Sequence, residues 1–159
     1  YGLESPIYKF ATVYFNGFTN ATTRPNSLFI TKYNLANVAA SLIGGDITST
    51  TIANLKLING TLTIVVDGVS KNVTVDLSTA NSYSDAAALI GTALTLTCVY
   101  QSQTKGFVIQ SGTTGEGTTI SFATGTVADK LKLTQDTGAI LNNHTTKDTP
   151  ETAALNAIQ

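Results

Sequence analysis

The residues best suited to metal binding and nucleophilic catalysis occur once each in this chain, as His144 and Cys98. A transition-metal site draws on several imidazoles and thiolates, so a single histidine does not predict one. A Ser-His-Asp triad would need His144, but no Gly-x-Ser-x-Gly elbow accompanies it. We therefore predict that His144 lies in an exposed loop. Cys98 lies within the alternating LTLTCVY, which predicts a small core residue.

Two aspartates, Asp67 and Asp76, come nearest to a pair of carboxylates for acid–base chemistry. Asp67 is explained by the Asp-Gly turn in which it lies, and Asp76 by its place near a strand end, where a solvated carboxylate is ordinary. No calcium loop of the D-x-D-x-D-G type is present. Neither aspartate is therefore predicted to be catalytic.

The glycine-rich loop GTTGEG, residues 112–117, has the wrong spacing for a dinucleotide fingerprint. A strand pattern follows it, where a phosphate-binding loop would lead into a helix. We predict a flexible hairpin turn instead. Taken with the preceding residues, the sequence predicts no catalytic residue, no cofactor-binding residue, no metal ligand and no cofactor, and hence a protein that is not an enzyme.

The composition limits the partners of the chain. Hydrophobic residues make up 42% of its 159 residues, which is enough for a core, while charged residues make up only 12% and the net charge is -1. A chain without a basic field does not attract nucleic acid or an anionic membrane surface. No apolar run approaches the roughly 20 residues of a membrane span. We expect no nucleic-acid binding and no membrane insertion.

The first part of the chain predicts a helix and a strand. Ser5-Pro6 is a helix start, apolar residues at helical spacing follow it, and Asn16-Gly17 ends the helix. SLFITKY, residues 27–33, predicts a buried strand, and NVAASLIGG is compatible with either a short helix or a strand. Aromatic side chains near the start have helical spacing, which predicts a core face rather than a binding stripe; they are Tyr8, Phe10, Tyr14, Phe15 and Phe18.

The middle of the chain carries the clearest pattern. Thr50 or Thr51 is predicted to cap a short helix that ends at Asn59-Gly60. Alternating residues on both sides of Asp67-Gly68 predict a β-hairpin with a two-residue type I′ turn. Ser82 and Asp85 have capping-box spacing and predict a helix that buries one stripe; the stripe consists of Ala86, Leu89, Ile90 and Ala93.

Strands are predicted from about Leu94, from Gly106 and from Thr118, followed by a short helix over TVADKLKLT and a last strand over GAILNN. The fold class is therefore α+β: a mainly antiparallel β-sheet module with short packing helices, preceded by a helix–strand piece of a larger α/β domain. We expect three parts, residues 1–44, 45–147 and 148–159, the last being the start of a helix capped by Thr149. The chain has the form of a piece of a longer protein.

Several blocks of sequence, in one order, resemble the sheath proteins of contractile bacteriophage tails. ATVYFNGFTNATTRPNSLFITKY is similar to the helix–loop–strand of that family, in which YFNGFTNATKRP leads into a strand near LYFARY. Further blocks follow in the family's order, including NGTLTIVVDGVSKNVTVDL and CVYQSQTKGFVIQSGTTGEGTTISFATGT. The blocks cover most of the chain, at residues 11–33, 59–94, 98–126, 133–143 and 149–155.

The resemblance implies a virion structural protein. Sheath proteins stack as six-subunit rings around a tail tube and contract to drive the tube through the host envelope, which makes the sheath a bistable assembly. Neighbouring subunits exchange terminal strands that join a shared sheet. The implied partners are further copies, the tail tube and the baseplate, and the implied location is the phage tail, assembled in the host cytoplasm.

Two further expectations concern this chain in particular. Residues 1–44 are expected to belong to the inner α/β part of a sheath subunit and residues 59–143 to an outward module, while the chain by itself is expected to be monomeric. The alternative function is an adhesin-like surface module that binds a host glycan or a partner protein. Its basis is the Thr-rich, sparsely charged β surface.

Overall fold

The computed structural model describes residues 4–16, 23 and 35–149, which belong to two compact units. The first unit comprises Tyr1–Tyr33 and Asp148–Gln159, and the second comprises Asn34–Lys147. The boundary that we predicted after residue 44 falls inside the second unit. The reason is that β1 (Ser41–Ile43) pairs with two other strands of that unit.

The described part of the first unit is the helix α1 (Pro6–Asn16). The Ser5 hydroxyl accepts a hydrogen bond from the Tyr8 backbone N–H, as the predicted start requires. The aromatic face that we expected in a core is exposed, and Phe10 retains 63% of its accessible surface. The predicted strand at 27–33, the residue Phe18 and the predicted terminal helix lie outside the described residues.

The second unit contains an antiparallel four-stranded sheet in the order β4-β5-β1-β6. The strands are β4 (Cys98–Gln101), β5 (Gly106–Gln110), β1 and β6 (Ile140–Asn142). β1 therefore resolves the ambiguity of NVAASLIGG in favour of a strand. The strand predicted from Leu94 begins only at Cys98, because the preceding helix continues to Leu94 and Thr95 then adopts a left-handed conformation.

The predicted hairpin is confirmed as β2 (Asn59–Val66) and β3 (Val69–Asp76). Asp67 and Gly68 both have positive φ, at 51° and 77°, as a type I′ turn requires. Leu62, Ile64 and Val66 alternate into the core from β2. The second edge of β2 contacts the chain at residues 120 and 124 through isolated bridges, so the third predicted strand is only an extended segment here.

Two helices pack in the second unit. α2 (Ile52–Leu55) is capped by Thr51, and α3 (Tyr83–Leu94) begins with the predicted Ser82 cap. The Ser82 hydroxyl accepts from the Asp85 N–H, while the Asp85 carboxylate accepts from the Asn81 N–H rather than from Ser82 itself. The buried face of α3 is wider than the predicted stripe, since Ala87 and Leu94 are buried as well.

The helix predicted over TVADKLKLT is replaced by consecutive turns at residues 126–132. Leu131 and Leu133 are both fully buried, and Lys132 between them has a positive φ of 58°. A left-handed residue of this kind interrupts an α-helix but lets two near neighbours reach one core. A short 3-10 helix (Gln135–Thr137) then leads into β6.

One core joins the sheet, the hairpin and α3. Its fully buried large side chains come from every element of the second unit except the 3-10 helix and β6, and from the turns before them; they include Leu42, Leu55, Leu62, Leu77, Ile90, Phe107 and Leu131. Lys71 on β3 donates from Nζ to the Leu94 carbonyl at 3.0 Å and so caps the end of α3. The mixed α+β class with antiparallel sheets is confirmed.

Candidate interaction surfaces

His144, the only histidine, is half-buried rather than exposed as we predicted. Its Nδ1 lies 2.9 Å from the Thr118 carbonyl oxygen. A carbonyl oxygen only accepts hydrogen bonds, so Nδ1 carries the proton in this contact. A small cavity of about 160 Å³ adjoins the ring, between residues 118–120 and 141–144. The histidine therefore anchors the chain after β6 to the segment after the glycine-rich loop.

The structure does not bring the two aspartates together. Asp67 lies in the hairpin turn and Asp76 ends β3, so the length of the strand separates them. The Ser78 backbone N–H donates to the Asp76 carboxylate at 2.9 Å, and this hydrogen bond lowers the pKa of Asp76. Within residues 4–16 and 35–149, no group of three His, Cys, Asp or Glu side chains is placed to hold a metal ion.

Cys98 packs against the core, as predicted, at the start of β4. Burial raises the pKa of its thiol to about 12. The reactive form of cysteine is the thiolate, which this pKa suppresses near neutral pH.

Asp67 has a second role that the sequence analysis did not foresee. Its carboxylate accepts hydrogen bonds from the Thr119 backbone N–H and from the Thr113 hydroxyl, at 2.9 and 2.8 Å. The glycine-rich loop is therefore not a hairpin turn, because the chain after it runs beside β2 instead of returning along β5. We name residues 112–117 the Glu116 loop, since they present Glu116 at the surface.

A second surface lies at the opposite end of the hairpin. An open cavity of about 320 Å³ forms where α2 leads into β2 and where the turns at 126–132 approach it. Leu57 beside it keeps 79% of its accessible surface, although it is a large apolar residue. We name this site the lysine cavity; its lining includes Thr50, Asn54, Leu57, Ile58, Lys130 and Lys132.

A third surface covers the outward side of the hairpin and is polar without charge. Directly opposed residues of neighbouring strands point to one face, and here Thr61 opposes Thr74 and Thr63 opposes Asn72. Thr124 opposes Thr63 from the other side, and the hydroxyls of Thr61 and Thr126 lie 3.3 Å apart. We name this surface the hydroxyl face; it consists of Thr61, Thr63, Asn72, Thr74, Thr124 and Thr126.

Sequence reasoning missed both the Asp67 contacts and the lysine cavity. The partners of Asp67 lie 46 and 52 residues away along the chain. The cavity likewise combines residues 49–58 with 130 and 132. Neither group forms a local motif, and within the described ranges no helix has the length and apolar character of a membrane span.

Comparison with known proteins gives one family. Residues 37–145 match the family described as E217 tail sheath protein gp31, insert domain. The matched range begins and ends within the second compact unit and covers more than half of the chain. No curated protein matches the chain significantly. The chain thus belongs to the family of the insert domain of the E217 tail sheath protein gp31, a structural family of bacteriophage tails.

Proposed function

We propose that this chain is part of a tail sheath subunit that polymerises around the tail tube and contracts during penetration of the host envelope. The observation that carries the proposal is the family match over residues 37–145, which coincides with nearly all of the second compact unit. The low share of charged residues is in keeping with a part that faces other parts of an assembly.

The proposed partners are further copies of the sheath subunit, in stacked hexameric rings, together with the tail tube and the baseplate. The proposed place of assembly is the host cytoplasm, before the tail joins the virion. Residues 34–147 form the outward module in this proposal, and the segments before and after them belong to the inner part of the subunit. The module acts as a building block and not as an enzyme.

Labelling of intact particles tests the proposal. An antibody raised against residues 34–147 should decorate the tail along its length in electron micrographs, because every sheath ring would carry the module. An antibody against a capsid protein of the same particle serves as the control. Decoration of the capsid or the fibres, with a bare tail, would contradict the proposal.

The hydroxyl face favours a second candidate function, the binding of a neutral host glycan. Six neighbouring hydroxyl and amide side chains offer donors and acceptors without any charge. Five of the six are exposed and the sixth, Thr63, is half-buried. A glycan array decides this: reproducible binding to one class of neutral sugar, lost in a Thr63→Ala/Asn72→Ala variant that still folds, would support this function. An array without hits would remove it.

A further inference from the structure

We propose that neighbouring sheath subunits contact one another head to tail, with the Glu116 loop of one copy seated in the lysine cavity of the next. This inference rests on the proposed function, since it names a contact within the sheath. The occupant of the cavity is accordingly a second copy of this chain. The argument rests on charge, on the rigidity of the loop and on the positions of the two surfaces.

The charges on the two surfaces are complementary and unpaired. Within residues 35–149 the only ion pair joins Lys105 to Asp46, at 3.9 Å, so Lys130, Lys132 and Glu116 have none. The two lysines and the carboxylate are all available to a partner. A positive patch that meets a negative loop fixes the orientation of two molecules and disfavours wrong partners. The nearby Leu57, 79% exposed, offers apolar surface that such a contact would cover.

The Glu116 loop is held in place before any partner arrives. Gly115 N–H donates to the Val38 carbonyl at 3.2 Å, and Thr118 closes the loop by donating to the Gly115 carbonyl. The hydroxyl of Ser111 and the carboxylate of Asp67 bind the loop from its other side, at Thr113. Gly115 and Gly117 both have positive φ, which turns the chain around Glu116. A loop already held in its binding conformation loses little entropy on association.

The two surfaces face partners at opposite ends of one rigid element. Ile58 at the lysine cavity is followed directly by β2 (Asn59–Val66), and Asp67 at the Glu116 loop directly follows β2. Eight residues of strand span roughly 25 Å. A copy therefore cannot bring its own loop to its own cavity. Contacts between two different surfaces of identical molecules generate rings or helical filaments, which are the assemblies that a sheath requires.

Charge reversal in the complete sheath protein tests the contact. Glu116→Lys alone, and Lys130→Glu/Lys132→Glu together, should each raise the critical concentration for tube formation by about tenfold or more, because each places like charges against each other. The triple variant that combines both changes should return close to the parent. Lys105→Glu/Lys147→Glu is the matched control, since it alters the net charge as the cavity variant does but lies away from both surfaces, and it should assemble as the parent does.

Sedimentation and negative-stain electron microscopy measure tube formation, and thermal melting shows that each variant is folded. Parental assembly of both single-surface variants would overturn the inference, and so would a triple variant that fails to recover. A parent protein that forms no tubes or rings would count against the proposed function itself, and the inference would fall with it. Tubes formed by the parent and lost in all charge variants, including the control, would also reject the specific contact.

Discussion

Asp67 and Thr119 exchange two hydrogen bonds across 52 residues of chain. The Asp67 N–H donates to the Thr119 carbonyl, and the Thr119 N–H donates to the Asp67 carboxylate, both at 2.9 Å. The hairpin turn is thereby joined to the segment that follows the Glu116 loop. A residue that the sequence explains by its turn conformation alone also holds a distant loop.

Replacement of Asp67 should separate these two roles. Asp67→Ala loses the carboxylate and places an alanine at positive φ, so we expect the free energy of unfolding to fall by about 1–3 kcal/mol. Asp67→Asn should lose less, because asparagine tolerates positive φ and keeps one carbonyl oxygen as an acceptor. Urea denaturation measures both.

The control for this comparison is Glu116→Ala, which removes an exposed side chain without a hydrogen-bond partner in residues 35–149 and should leave stability within about 0.5 kcal/mol of the parent. Ser111→Ala, by contrast, should destabilise the unit. The Ser111 hydroxyl is buried and donates to the Thr113 carbonyl at 2.9 Å. Equal stabilities for Asp67→Ala and the parent would show that the loop does not depend on Asp67.

Ile90 tests the packing of α3 on the sheet and the hairpin. Its side chain is fully buried, so Ile90→Ala should lower the free energy of unfolding by about 2–5 kcal/mol. Leu89→Ala should cost less, since Leu89 only packs at the margin of the core. Leu57→Ala is the matched control, because its side chain is largely exposed. A thermal melt of Ile90→Ala that coincides with the parent would mean that α3 faces the core differently.

The local elements were predictable because short-range chemistry determines them. Asp67-Gly68 between two alternating runs specifies a hairpin without reference to the rest of the chain. Ser82, three residues before Asp85, specifies the start of α3 in the same way. In each case the residues that form the contact lie within a few positions of one another.

The long-range pairings were not predictable from one sequence. β1 is only three residues long, and its place between β5 and β6 depends on partners about 65 and 100 positions away. Its sequence fits a helix or a strand until those partners are known. The extended segment at 118–124 and the lysine cavity depend on contacts of the same kind. The family resemblance nevertheless identified the class of protein, because it rests on the order of whole blocks.

Acidification should destabilise the second unit through two aspartates. The Thr48 side chain and backbone lower the pKa of Asp46 by hydrogen bonding, and the Ser78 backbone lowers the pKa of Asp76. The folded pKa of each lies below the ordinary value of 3.8, so the unfolded chain takes up protons first. The stability that these carboxylates contribute is therefore complete above the ordinary value and is lost as the pH falls through the folded pKa.

Urea denaturation between about pH 6 and about pH 3 measures this loss. The Asp46→Asn/Asp76→Asn variant should show a smaller decrease of stability over that range than the parent, because an amide does not titrate. A double variant that retains the full decrease would assign the acid sensitivity to other carboxylates.

The last prediction concerns association of the chain by itself. The edge strands of the four-stranded sheet are short, with four residues in β4 and three in β6. The free edge of the hairpin, β3, exposes Ser70, Asn72 and Thr74. Short and polar edges resist pairing with other chains. An exposed ion pair such as Glu116 with a lysine contributes at most about 1 kcal/mol, which does not hold two copies together at micromolar concentration. We therefore expect a monomer in sedimentation-velocity experiments on this chain, and tubes or rings from the complete sheath protein under the same conditions. Regular tubes built by this chain alone would show that the contacts that drive polymerisation lie within its 159 residues.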